Sequence, residues 1–199
     1  MDDWLTRHEA KIKCVDSDAL VVCSAIEMEK ISSLQTPSPL LAVADIPAPA
    51  ALPKLTDLTI VLDGVQDPGN LGSIVRTADW FGLKHVIVSE DTVDAYNPKT
   101  VQAAMGSLLR VAVMEYSLEK VFKHYAHIPV YAADMDGTDV RTEALATPAL
   151  LLIGNEGNGI KPEWEPFVHR TVTIPRFGEA ESLNAAVATA ILCSLWKLK

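Results

Sequence analysis

A chain of 199 residues, 49% hydrophobic and 22% charged, has globular composition and room for one full-sized domain plus an appendage. No apolar run reaches the roughly 18 residues that a membrane-spanning helix needs, and the first residues, Met1 to Arg7, lack the basic start and apolar core of a secretory leader. A formal net charge of −9 speaks against extended binding along nucleic-acid phosphates.

In chain order, Ala19–Ser24 and Leu40–Ala44 read as short strands, with a helix over Glu27–Ser33 between them. Cys14, Cys23 and Cys193 are odd in number and far apart. They suit neither a disulfide framework nor a metal cluster, and are expected as reduced thiols in the cytoplasm. The stretch Ile46-Pro-Ala-Pro-Ala-Ala-Leu-Pro53 carries three prolines in eight residues and reads as a linker. The expected organisation is therefore a small module over 1–45, a linker over 46–54 and a main domain over 55–199.

The main domain alternates short unbroken apolar runs with helical patterns. Leu58–Leu62, His85–Val88, Val130–Ala133, Leu150–Ile153 and Val172–Ile174 are rich in Val, Ile and Leu, as strands buried on both faces are. Between them, Leu71–Phe81 places Ile74, Ala78 and Phe81 on one helical face. Asn97-Pro98 starts a helix through Met105, and Leu183–Leu195 aligns Leu183, Val187, Ile191 and Leu195. The class is α/β, a parallel sheet flanked by helices and preceded by a small partial α+β module.

Ligands of such sheets bind beyond the carboxyl ends of the strands, and three of those ends carry unusual loops. The first runs from Asp63 to Gly82. Gly69 and Gly72 permit a tight turn, Asn70 is placed to cap the following helix, and Arg76 points about 200° away from Ile74. A guanidinium there can grip a phosphate with both of its arms. The second, Gly154-Asn-Glu-Gly-Asn-Gly-Ile160, lets backbone approach a flat ligand, with Glu156 at its centre. In the third, Pro175 ends a strand, Gly178 turns, and Ser182 or Asn184 opens the last helix. Each loop alone also reads as an ordinary cap or turn. The first is not the Gly-x-Gly-x-x-Gly of a dinucleotide-binding oxidoreductase.

Taken together, Asn70-Leu-Gly-Ser-Ile-Val-Arg76-Thr-Ala, Leu152-Ile-Gly-Asn-Glu-Gly-Asn-Gly-Ile160, and Ile174-Pro with Ser182-Leu-Asn184 resemble the three motifs of the SpoU/TrmH branch of the SPOUT methyltransferases. The segment Tyr96 to Ser107 resembles the family's central stretch, and the likeness spans Leu58–Leu195. The resemblance implies a deep C-terminal trefoil knot, a homodimer packed around it, and S-adenosylmethionine-dependent methylation of a ribose 2′-hydroxyl in rRNA or tRNA. It implies Arg76, Asn70, Glu156, Ser182 and Asn184 as catalytic residues. Cofactor contacts are implied for Gly154, Asn155, Gly157, Ile174, Pro175 and Leu183, and no metal is implied. The alternative within the same likeness is a catalytically silent RNA-binding or ribosome-assembly paralogue. The chain departs from the family at Arg176, where methionine is usual, and at Ala185-Ala-Val-Ala. Its first 45 residues resemble only the latter part of the ribosomal-protein-like domain that relatives carry.

Overall fold

The computed structural model describes residues 20–48 and 51–198, and the chain divides into two compact units, 1–48 and 49–199. In the first unit the described residues hold one helix, α1 (Ala25–Ile31). A reciprocal cap sets its start: the Glu27 N–H donates to Ser24 Oγ at 3.3 Å, and the Ser24 N–H donates to Glu27 Oε2 at 2.7 Å. The helix therefore begins before the expected Glu27. The strands expected at Ala19–Ser24 and Leu40–Ala44 are not found among the described residues; Ala19, like Cys14, lies outside them. A strand forms only against a second backbone, and here Val21, Val22 and Val43 are 82%, 70% and 93% exposed.

The second unit is built on β1 (Leu58–Leu62), β2 (His85–Val88), β3 (Ala112–Glu115), β4 (Val130–Asp139), β5 (Ala149–Ile153) and β6 (Arg170–Thr173). They form one parallel sheet in the order β3-β2-β1-β5-β4-β6. Every residue of β1 and β5 is buried, which is why both read as continuous apolar runs. Side chains alternate between two cores: Ile60, Leu62, Leu151 and Ile153 face one, while Val61, Leu150 and Leu152 face the other. Truncating one of the fully buried leucines to alanine costs about 2–5 kcal/mol.

Helices cover both faces. α2 (Pro68–Trp80) and α5 (Ala185–Lys197) bury Leu71, Ile74, Val75, Ala78, Leu192, Cys193 and Trp196 against the first core. α3 (Pro98–Ala104), capped by Asn97 as expected, packs on α2 where Gly72 leaves no room for a side chain: an added Cβ would lie 2.6 Å from Ala103 Cβ. α4 (Leu118–His124) buries Leu118, Val121 and Phe122 on the opposite face, with Phe122 stacked on Phe167 of a 3-10 turn, Pro162–Phe167.

Two departures from the sequence reading have simple causes. β3 and α4 were not anticipated. β3 is an edge strand with only Met114 buried, and α4 is two turns long, so neither carries a strong periodic signal. In α5 the aligned Leu183, Val187, Ile191 and Leu195 do not form the buried stripe. Ala185, Ala186, Thr189, Leu192, Cys193 and Trp196 do, because small residues let α5 close on α2. Leu183 and Val187 are each 48% exposed.

Candidate active site

From β1 the chain steps outward to β2 and β3, then returns on the other side of β1, so the crevice between the carboxyl ends of β1 and β5 is the topological switch point. Register places Leu62 level with both Val88 and Ile153. The loops leaving β1, β2 and β5 therefore emerge side by side.

The first loop is organised by Asp67 rather than Asn70. Asp67 is the N-cap of α2, its Oδ1 accepting the Asn70 N–H at 2.8 Å, with Pro68 in the first turn. The expectation that Asn70 caps this helix is thus corrected: the helix begins two residues before it, which releases the Asn70 amide for tertiary contact. Asn70 Nδ2 donates to Glu156 Oε1 at 2.8 Å, and Asn184 Nδ2 donates to Asn70 Oδ1 at 2.8 Å. Asn184 is the N-cap of α5, its Oδ1 accepting from Ala186 and Val187 N–H groups at 2.9 and 3.2 Å. That cap sets the sense of the whole relay. With Oδ1 committed to the helix, Asn184 can only donate to Asn70, and Asn70 can only donate onward, which requires an accepting carboxylate at Glu156.

The second loop is held shut by paired backbone bonds of 2.9 Å between Asn155 and Gly159. Asn155 Oδ1 accepts from Gly157 and Asn158 N–H groups, and its Nδ2 donates to the Gly64 carbonyl at 2.7 Å. Gly159 has a φ of +68°, and a Cβ on Gly154 would stand 2.5 Å from the Gly159 carbonyl oxygen, so these two glycines are required by geometry. The third loop descends from β6 through Ile174 and Pro175 to Ser182.

The second and third loops enclose a cavity of about 430 Å³ whose lining includes Gly154, Asn155, Glu156, Ile174, Pro175, Ser182 and Leu183. Its floor is apolar, formed by Ile153, Val172, Ala185 and Leu192, and Asp134, Glu156 and Glu181 line it with carboxylates. The structure thus gathers seven of the residues singled out from sequence on one cavity, and couples Asn70 and Asn184 to it through Glu156. Two others stand apart. Gly157 does not line the cavity; its N–H serves the internal turn of the loop. Arg76 is exposed on α2, six residues beyond Asn70, and makes no hydrogen bond or ion pair with the described residues.

Several participants were not singled out from sequence. Asp134 and Met135 line the cavity because β4 is interrupted between Ala133 and Thr138; a strand read as ending at Ala133 gave no hint of this. Asp63 is fully buried at the end of β1, paired with Lys161, whose ammonium also bonds Asp91 Oδ2 at 2.7 Å. The Asp91 carboxyl is held below its ordinary pKa, chiefly by Lys161 and then by Ser89, and Lys161 is raised, chiefly by Asp91. A charged residue directly after an apolar run was the available signal for Asp63; Lys161 offered none.

Residues 57–194 match the SpoU rRNA Methylase family. The chain is 32% identical over 196 residues to the 23S rRNA (guanosine(2553)-2′-O)-methyltransferase RlmP of Bacillus subtilis, covering 94% of this chain and 77% of that protein. It is 34% identical to the 23S rRNA (uridine(2479)-2′-O)-methyltransferase of Streptomyces viridochromogenes, covering 91% and 68%. Among solved structures, a TrmH-family protein from Porphyromonas gingivalis superposes with a TM-score of 0.84 at 43% identity over 90% of this chain and 74% of that one. The Streptomyces viridochromogenes SpoU methyltransferase AviRb in complex with AdoMet gives 0.71 at 32% identity over 77% and 66%. With its parallel sheet, two motif loops on one cavity, the third tied to them through Asn70, and this match, the chain belongs to the SpoU rRNA methylase family.

Proposed function

We propose that this protein transfers the methyl group of S-adenosylmethionine to a ribose 2′-hydroxyl of rRNA or tRNA. The observation that carries the reading is the Asn184–Asn70–Glu156 relay, which joins all three motif loops at the edge of one cavity. The cavity suits the cofactor. An apolar floor and the close backbone at Gly154 offer a slot for a flat adenine, and the carboxylates of Asp134, Glu156 and Glu181 favour a ligand with sulfonium and ammonium charges. Gly154, Asn155, Ile174, Pro175 and Leu183 would hold it. When bound, S-adenosylmethionine supplies an electrophilic methyl group.

The chain's own residues have to position the hydroxyl. Arg76, an exposed cation without a carboxylate partner among the described residues, is available to grip the phosphate next to the target ribose bidentately and to orient and polarise its hydroxyl. A guanidinium keeps its proton, so orientation rather than proton abstraction is its role. Ser182 lines the cavity beside Glu156 and offers a further hydroxyl contact to RNA.

The domain is further read as a trefoil knot and as a homodimer. Supporting the knot, the segment from Ile174 to Ser182 shares a cavity with the Gly154 loop before α5 packs back on α2. Supporting a dimer, Leu183 and Val187 form a half-exposed apolar edge. Residues 1–45 are read as an RNA-binding-like module, and the division between compact units at 48/49 falls inside the 46–54 linker. No helix among the described residues is long and apolar enough to cross a membrane; we read the reaction as cytoplasmic on the ground that the relatives are named for acting on 23S rRNA.

Calorimetric titration with S-adenosylmethionine, followed by transfer of labelled methyl to RNA from a strain lacking the gene, tests this function. Arg76→Ala is expected to abolish transfer and leave cofactor affinity within about twofold, since the arginine is asked only for transition-state positioning. Wild-type protein that binds the cofactor and methylates no RNA would instead indicate the silent paralogue, and equal loss of both properties in Arg76→Ala would make the arginine structural.

A further inference from the structure

We propose that Lys161 is a positioning residue for the cofactor loop, acting as a clasp between two carboxylates that belong to two different strand ends. Both ends of the Gly154–Lys161 loop are anchored on adjacent residues of the β1 exit. At the start, Asn155 Nδ2 donates to the Gly64 carbonyl at 2.7 Å. At the finish, the Lys161 N–H donates to Asp63 Oδ2 at 2.8 Å, while its ammonium lies 3.3 Å from Asp63 Oδ1 and 2.7 Å from Asp91 Oδ2. Asp63 Oδ1 is buried and accepts no hydrogen bond among the described residues. The β2 exit is drawn into the same knot of contacts: the Gly64 N–H donates to Ser89 Oγ at 2.8 Å, Ser89 Oγ lies 2.9 Å from Thr92 Oγ1, and Gln66 Nε2 donates to the Asp91 carbonyl. Gly64, with φ of +68°, leaves room for the Asp91 carboxylate, which a Cβ would meet at 3.0 Å.

Gly154 and Asn155, at the first anchor, line the cavity, and Glu156, between the two anchors, both lines it and ends the asparagine relay. Only Asp63 of the three is buried; Lys161 and Asp91 are 40% and 50% exposed, and ion pairs so open to water add little net stability. What the Asp63–Lys161–Asp91 arrangement supplies is position: a loop rich in glycine has little side-chain packing of its own to hold it. Asp63 fixes the direction of the clasp, since its Oδ2 accepts the backbone N–H of Lys161 while its Oδ1 lies 3.3 Å from the ammonium of the same lysine. The inference rests on reading the cavity as the S-adenosylmethionine site.

Four proteins test it: wild type, Lys161→Arg, Lys161→Met and the double variant Asp63→Asn/Lys161→Met. Each is measured for melting temperature, S-adenosylmethionine affinity by calorimetry, and the rate of labelled methyl transfer to RNA at saturating cofactor. Lys161→Met leaves Asp63 buried without its countercharge, so both melting temperature and cofactor affinity fall, the latter by about tenfold or more. The double variant removes the orphaned charge, leaves the N–H of residue 161 an acceptor at residue 63 and recovers the melting temperature, but keeps the weakened cofactor affinity because the side-chain link to Asp91 is still missing. At saturating cofactor its transfer rate returns to within about threefold of wild type, the split expected of a group that positions the binding loop and takes no part in the transition state. Lys161→Arg, which retains both contacts, keeps wild-type affinity. Recovery of affinity together with melting temperature in the double variant, or unchanged affinity in Lys161→Met, overturns the proposal while leaving the cavity's assignment intact. Wild-type protein that takes up no S-adenosylmethionine overturns the assignment of the cavity and the clasp together.

Discussion

Replacing Gly154 with alanine adds one methyl group at the tightest point of the cofactor loop. The new Cβ would stand 2.5 Å from the Gly159 carbonyl oxygen, and nearer still to Gly159 C and Ile160 N, whereas ordinary contact begins at 3.4 Å. None of these atoms is a flexible side chain, so either β5 or the loop must retreat by roughly 1 Å, a misplacement that can cost on the order of 100-fold in a preorganised site. β5 is the worse candidate to move, because Ile153 is hydrogen-bonded in register with Leu62 and buried. The loop therefore shifts, breaking the paired 2.9 Å bonds between Asn155 and Gly159. The folding cost of such overpacking is about 1–3 kcal/mol, or about 2–4 °C of melting temperature per kcal/mol for a domain of this size. Isothermal titration with S-adenosylmethionine is expected to show affinity reduced by at least about tenfold, alongside that modest loss of melting temperature. Alanine tolerated with both quantities unchanged would refute the reasoning, since it would mean that the crossing of Gly154 and Gly159 does not shape the cavity.

Three further outcomes follow from the same geometry. Asn70→Ala interrupts the relay between Asn184 and Glu156 at exposed positions, so stability should change by no more than about 1 kcal/mol while methyl transfer falls; a melt in which stability and activity fall in proportion would count against a site role. Desolvation holds half-buried His85 below its ordinary pKa of 6.5. The unfolded chain therefore binds its proton first, and stability present above pH 6.5 is lost as pH falls through the lower folded value; urea titrations between pH 8 and 5 should show this loss, and His85→Gln should flatten it. Burial pushes the Cys193 thiol up to about 12, so an aromatic disulfide reagent at pH 8 should leave it unmodified in the native protein and label it on unfolding; labelling at the native-state rate of Cys23 would contradict the packing of α5.

Much of the fold was legible because a parallel sheet covered on both faces leaves a plain trace. Leu58–Leu62 and His85–Val88 were read as strands with the bounds they have, and Leu150–Ile153 falls one residue short of β5. The weak points were elements whose burial is partial or borrowed. Edge strand β3 and two-turn α4 lacked length. The first unit's valines had β-propensity but no partner strand among the described residues. In α5, apolar spacing picked a partly exposed stripe, whereas the buried face combines Ala185, Ala186, Thr189 and Cys193 with Leu192 and Trp196.

For the site, the sequence by itself determined which residue types stand at the carboxyl ends of β1, β5 and β6, since glycines, caps and strand-ending prolines act through local backbone rules. It narrowed the opening of the last helix to Ser182 or Asn184, and the structure gives the cap to Asn184, a short-range bond to N–H groups two and three residues on. Only the tertiary structure decided that Asn70 faces Glu156 and Asn184 instead of its own helix, that Arg76 stands outside the cavity, and that Lys161 joins Asp63 and Asp91. Those contacts span between 70 and 114 residues of chain, and no local rule sets their direction. They depend on the order in which the strands lie in the sheet, which brings the exits of β1, β2 and β5 side by side.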